Sequence, residues 1–115
     1  MTAETFVPVA RVSEIPVGET RVVRAGGERI VLCNVEGSIY AIEDVCTHDG
    51  SPFGIEILDG PVIECPRHGA QFDVRSGAVV RLPAVVPVRT FPVKVDEEGS
   101  ILVGIEDDDD EDEED

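Results

Sequence analysis

The sequence predicts an all-β fold: an antiparallel sandwich- or barrel-like body with a small β subdomain inserted in it. Three observations carry this. Hydrophobic residues make up 42% of the chain but aromatics only 4%, so the core must be built from Val, Ile and Leu, a β-branched bias that favours sheet. Eight prolines and eleven glycines punctuate short apolar runs, as turns between strands do. Between Thr20 and Ile42, glycine turns join three such runs, which argues a meander. A length of 115 residues allows one domain with a modest core. That domain is expected over residues 1–105, with the subdomain at about 44–84.

Taken in order, Phe6–Ala10 reads as a first strand, and Pro8 places it at a sheet edge. Ile15–Glu19 is a turn. Thr20–Ala25 and Glu28–Val35 pair across Gly26-Gly27, a two-residue hairpin signal. Glu36-Gly37 turns again, and Ser38–Ile42 alternates. Leu58-Asp59-Gly60-Pro61 turns into a short strand, Val62–Glu64, and Ala70–Asp73 forms its return partner. Ser76-Gly77 is a further turn, and Arg81–Ala84 reads as a covering loop. Thr90–Val95 and Ser100–Ile105 are expected to form a final hairpin across Asp96–Gly99.

The formal net charge is −16, from 9 basic and 25 acidic residues. Ten of the acids form one run, Glu106 to Asp115; without it nine bases still face fifteen acids, a net of −6. A nucleic-acid partner is excluded, because a phosphate backbone demands a basic footprint. The acidic run cannot bury apolar surface and repels itself, so residues 106–115 are expected to be a disordered tail. Such a run is usually a solvated end. If it steers a basic partner, deleting residues 106–115 slows electron transfer at low salt and matters little at high salt.

Three cysteines, an odd number, suggest no disulfide framework, consistent with a reducing, cytoplasmic location. Cys33, inside the strand-like run Ile30–Val35, reads as a small buried thiol. The first residues lack the basic and apolar regions of a signal peptide, and no run of eighteen apolar residues spans a membrane.

The chemistry lies in loops. Cys46-Thr47-His48 is followed, after sixteen residues, by Cys65-Pro66-Arg67-His68, and these use both histidines of the chain. Two thiolates and two imidazoles can hold zinc in a tetrahedral site. They can also hold two sulfide-bridged irons, with both thiolates on one and both imidazoles on the other. Zinc sites usually pair like ligands at short spacing, whereas here each loop mixes Cys with His.

Cys46-Thr47-His48-Asp49-Gly50 and Cys65-Pro66-Arg67-His68-Gly69-Ala70-Gln71-Phe72-Asp73 resemble the two cluster-binding boxes of Rieske-type [2Fe–2S] proteins. The resemblance runs from the first strand to Ile105. It implies one Rieske cluster, with Cys46 and Cys65 on the inner iron and His48 and His68 on the outer, electron-accepting iron. It also implies that Pro83 lies in a segment packed over the cluster.

The departures from the family's respiratory branch are informative. That branch has an extra cysteine in each box, where this chain has Ser51 and Arg67, so the bridging disulfide is absent. It also has a serine and a tyrosine that donate hydrogen bonds toward sulfur, where this chain has Ala70 and Phe72. Without those donors the potential is expected near the bottom of the Rieske range, roughly −150 mV. The chain thus looks like the soluble ferredoxin of ring-hydroxylating oxygenase systems. Such a protein carries single electrons from a flavin-containing, NAD(P)H-dependent reductase to a terminal oxygenase. It is expected to be an electron carrier, not an enzyme, since both histidines are committed and none is left for a mononuclear iron or a nucleophile's base. The rival reading is a Rieske-fold accessory subunit of another reductase, of the nitrite-reductase type, or a redox sensor.

Overall fold

A computed structural model describes residues 3–47, 50, 52–53, 57–67 and 69–107. Its organising feature is the strand Glu28–Val35, whose residues Ile30, Val31, Leu32 and Cys33 are all fully buried. Successive side chains of a strand point to opposite faces, so this strand is covered on both sides.

The strands, in chain order, are β1 (Ala3–Arg11), β2 (Thr20–Ala25), β3 (Glu28–Val35), β4 (Ser38–Glu43), β5 (Val62–Glu64), β6 (Gln71–Asp73), β7 (Val79–Arg81), β8 (Thr90–Phe91), β9 (Val93–Val95) and β10 (Ser100–Asp107). One 3-10 turn, Val12–Glu14, follows β1. The described strands form three antiparallel sheets, ordered β1-β10-β9, β2-β3-β4-β8 and β5-β6-β7. The four-stranded sheet is the middle layer. On one side Ile30, Leu32 and Ala41 pack with Phe91, Ile101, Val103 and Ile105. On the other, Val31, Cys33 and Ile42 pack with Ile63, Phe72, Cys46 and Cys65. The body and the inserted sheet therefore share β3 and β4 as a common wall.

Thr20–Ala25 and Glu28–Val35 are strands as expected, joined by Gly26 and Gly27, both at positive φ. The next turn repeats the device with Glu36 (φ 54) and Gly37 (φ 98). Asn34 supports it: its Oδ1 accepts from the Gly37 N–H at 2.8 Å, and its Nδ2 donates to the Ile15 carbonyl at 2.7 Å. Pro8 does lie on an edge strand, where the pairing with β10 slips in register between Pro8 and Ala10.

β4 extends one residue to Glu43 and β6 starts at Gln71 rather than Ala70, and four larger differences from expectation follow. β1 runs from Ala3 to Arg11, beyond the Phe6–Ala10 read from its apolar pattern, because β10 supplies a full-length partner. That partner itself continues through Glu106 and Asp107, which pair with Glu4 and Ala3, so the first two acids of the terminal run are strand. Residues 108–115 lie outside the described residues. Thr90–Val95 is two strands rather than one: β8 pairs with β4, and β9 with β10. Pro92, which has no N–H to give a ladder, stands at the change of sheet, and its carbonyl accepts from the Gly104 N–H at 2.9 Å. Finally, Arg81 belongs to β7, so the covering loop begins at Leu82.

Candidate metal centre

The second cysteine loop is the tip of the β5–β6 hairpin. Cys65 follows Glu64 directly, and its N–H donates to the Ala70 carbonyl at 2.7 Å. The first cysteine loop is not a hairpin tip. It leaves the end of β4 and belongs to the long connection to β5, which carries the isolated bridges Glu19↔Ile57 and Asp59↔Val62. β4 belongs to the middle sheet and β5 and β6 to the inserted one, so two different sheets present the two loops.

Despite this, the loops close alike. The Gly50 N–H donates to the Cys46 carbonyl at 2.7 Å, and the Gly69 N–H donates to the Cys65 carbonyl at 3.0 Å. Gly50 has φ 78 and Gly69 φ 79, the left-handed region that costs other residues roughly 1–2 kcal/mol. In sequence, His48 and His68 fall between each cysteine and its glycine. Both histidines lie outside the described residues.

Cys46 and Cys65 are fully buried and unlinked by any disulfide. They share one apolar cluster with Phe53, Ile63, Ala70, Phe72, Ala84 and Val88. Phe53 meets Phe72 edge to face, with ring centroids 5.6 Å apart and planes at 89°. Thiolates in such a wall need a positive partner, because burying an uncompensated charge is expensive. Two buried sulfurs on rigid loops fit a soft, thiolate-binding iron centre. Ala70 and Phe72 bring no hydroxyl to this wall, as expected. Cys33 lies in the same cluster, and burial pushes its thiol up to about 12, which matches its reading as an inert core residue.

The covering loop after β7 is pinned to the first cysteine loop and to the turn between β6 and β7. The Thr47 hydroxyl donates to the Val86 carbonyl at 2.5 Å, and the Val88 N–H donates to the Gly77 carbonyl at 2.9 Å. Ala84 and Val88 are the residues of this loop that enter the cysteine cluster, while Pro83 is half-buried beside Ala84.

Asp44 is a site residue that the sequence reading missed. Its carboxylate is fully buried; Oδ1 accepts from the Phe53 N–H at 2.7 Å, and Oδ2 accepts from Arg29 at 2.6 and 3.1 Å. The Asp44 N–H in turn donates to the Arg29 carbonyl at 2.9 Å. One side chain thus ties β3 to both ends of the first loop. The available signal was an acid two residues before a proposed ligand.

Comparison with known proteins agrees with this geometry. The model of the Rieske [2Fe-2S] domain matches residues 5–92. The ferredoxin component of the naphthalene 1,2-dioxygenase/salicylate 5-hydroxylase systems of a Ralstonia species is 36% identical over 93 residues, covering 81% of this chain and 89% of that one. The ferredoxin component of biphenyl 2,3-dioxygenase from Rhodococcus jostii is 42% identical over 89 residues, covering 77% and 82%. A ferredoxin solved in complex with the reduced oxygenase of carbazole 1,9a-dioxygenase superposes with a TM-score of 0.79. It is 37% identical, with 85% of this chain and 91% of that one covered. The chain belongs to the Rieske [2Fe–2S] domain family, and its cofactor is one Rieske-type [2Fe–2S] cluster. Like these relatives it is an electron-carrying ferredoxin component, not a catalytic subunit.

Proposed function

We propose that this chain is the ferredoxin of an aromatic-ring-hydroxylating dioxygenase system, and that Cys46, His48, Cys65 and His68 are the four protein ligands of its cluster. The observation that carries the assignment is the convergence of Cys46 and Cys65, from two sheets, into one buried apolar cluster beneath two identically closed loops. When bound, the cluster supplies a one-electron couple. The residues of the chain hold it, screen it from water on the Phe53–Phe72–Ala84 side, and leave both loop tips for a partner.

In this reading a flavin-dependent NAD(P)H reductase loads the electron, and a terminal non-haem iron oxygenase removes it. The carbazole complex supports the second partner, because a similar ferredoxin there sits on its oxygenase. The domain covers the chain to the end of β10. No helix among the described residues is long and apolar enough to cross a membrane, and the working location is the cytoplasm.

Mössbauer spectroscopy of reduced protein tests the ligand set. One ferrous site with nitrogen ligation and one ferric site with sulfur ligation are expected, each at one per chain. Stoichiometric zinc, or two sulfur-ligated irons, would overturn it. Substrate turnover reconstituted with a reductase and an oxygenase tests the role. A cluster that is reduced yet passes its electron to no oxygenase would favour an accessory subunit or sensor.

A further inference from the structure

Thr20, Asn34 and Asp44 are buried polar residues, and of these three Asp44 alone carries a charge. That charge stands two residues before Cys46, where the chain enters the first cysteine loop. The carboxylate has no exposed surface and accepts from the Phe53 N–H at 2.7 Å, while Phe53 itself belongs to the apolar cluster of Cys46 and Cys65. It is therefore held in the interior beside the cysteines, where a charge is screened least.

Its counter-charge is placed differently. Arg29, near the start of β3, meets Asp44 at 2.6 Å, yet the Arg29 side chain is 42% exposed. The residue in register with Arg29 on β2 is a second arginine, Arg24, which is also exposed. Water and salt screen such guanidiniums far more than they screen buried oxygens. Toward the cysteines the pair is thus a dipole with its negative end inside, and its two charges do not cancel there. An electron added to a cluster held by Cys46 places new negative charge near a fixed negative charge, and like-charge repulsion opposes this. Local charge is one of the quantities that set the potential of an iron–sulfur centre.

We propose that the Arg29–Asp44 pair sets the reduction potential of the cluster, the buried carboxylate holding it low and the half-exposed guanidinium limiting how low. This rests on the reading that Cys46 is one of the cluster's ligands. A lower potential makes the reduced chain a stronger donor, so the pair favours passing the electron on over keeping it. The role is separable from the tie that Asp44 makes between β3 and the loop. Losing either partner loosens that same tie, so a purely structural pair shifts the potential in one direction only. Losing charges of opposite sign shifts it in opposite directions.

The test is protein-film voltammetry at pH 8 on full-length holoprotein, comparing wild type with Asp44→Asn, Arg29→Gln and, as a control, Arg24→Gln. Voltammetry reads only the chains that hold a cluster, so partial loss from a loosened loop does not mask the result. Asp44→Asn is expected to favour reduction about tenfold, a rise of about 59 mV for a one-electron couple. Arg29→Gln should disfavour reduction by a smaller factor, about threefold, because the lost charge was partly screened. Arg24→Gln, one strand farther from Asp44, should move the potential less than Arg29→Gln does. A potential that stays put in Asp44→Asn or in Arg29→Gln, or that moves the same way in both, overturns the proposal. So does an Arg24→Gln shift as large as that of Arg29→Gln, which would assign the effect to overall charge. Should Asp44→Asn hold no cluster, Arg29→Lys decides against Arg29→Gln: the lysine, which keeps the charge, should stay near wild type, and equal potentials for the two overturn the proposal. Wild-type protein without the Mössbauer signature of mixed sulfur and nitrogen ligation overturns the ligand reading itself, a result distinct from loaded variants that match a loaded wild type.

Discussion

Asp44 and Arg29 meet at 2.6 Å where the middle sheet hands the chain to the first cysteine loop. The carboxylate is fully buried and the guanidinium 42% exposed, so the pair anchors a charged group that could not otherwise remain inside. Because Asp44 also accepts from the Phe53 N–H, it fixes the two ends of the segment that carries Cys46.

Removing this carboxylate should loosen the loop more than it unfolds the body. Asp44→Ala is expected to cost about 2 kcal/mol, below the full penalty for a buried pair because Arg29 can reach water. Asp44→Asn, which keeps an acceptor for Phe53, should cost less. Thermal unfolding gives the stability, and iron per chain after gel filtration gives cluster retention. Retention should fall in the order wild type, Asn, Ala.

Gly77 allows the covering loop to sit where it does. A Cβ there would lie 2.1 Å from the Val88 carbonyl oxygen, a backbone atom that cannot step aside cheaply, and φ is +81. Gly77→Ala is therefore expected to cost about 2–3 kcal/mol from backbone strain and overpacking. At the usual scaling this lowers the melting temperature by roughly 10 °C. An alanine variant melting within two degrees of wild type would show that the loop relaxes away.

The apolar wall around the cysteines predicts a low potential that one hydroxyl can raise. Ala70 is fully buried beside Cys46 and Cys65. Ala70→Ser introduces a donor that favours the more negative, reduced state. At about 1 kcal/mol of differential stabilisation, a one-electron couple rises by roughly 40 mV. Protein-film voltammetry reads this directly, and an unchanged or lowered value would mean that the serine hydroxyl points elsewhere.

Cys33 should be chemically silent. Burial raises its thiol to about 12, so almost none is thiolate at pH 8. Native holoprotein treated with iodoacetamide is expected to show no carbamidomethyl group on Cys33 by peptide mass spectrometry, while the unfolded chain labels readily. The shift also has a stability sign. The folded state disfavours the thiolate, so its contribution is complete below the ordinary thiol range and is lost as pH rises from there toward 12.

Much of this was legible because local signals are strong. Gly26-Gly27 and the β-branched runs on either side specify β2 and β3 to the residue. The mixed Cys/His spacing, with its glycines, pointed to the centre before any geometry was known. β7 escaped because three residues with a bulge show no alternation. The division of Thr90–Val95 escaped because Pro92 was not recognised as the point where the strand changes partners. Asp44 escaped because nothing local distinguishes a buried acid from a solvated one in a turn.

By itself, then, the sequence determined the class of fold, the family of the cofactor and the acidity of the chain, all of which depend on residue type and short-range spacing. Only the tertiary structure decided that β3 is a wall shared by two cores, and that the two cysteine loops hang from different sheets. The physical reason is that burial and charge environment depend on pairings across tens of residues, which register and packing settle and no local pattern encodes.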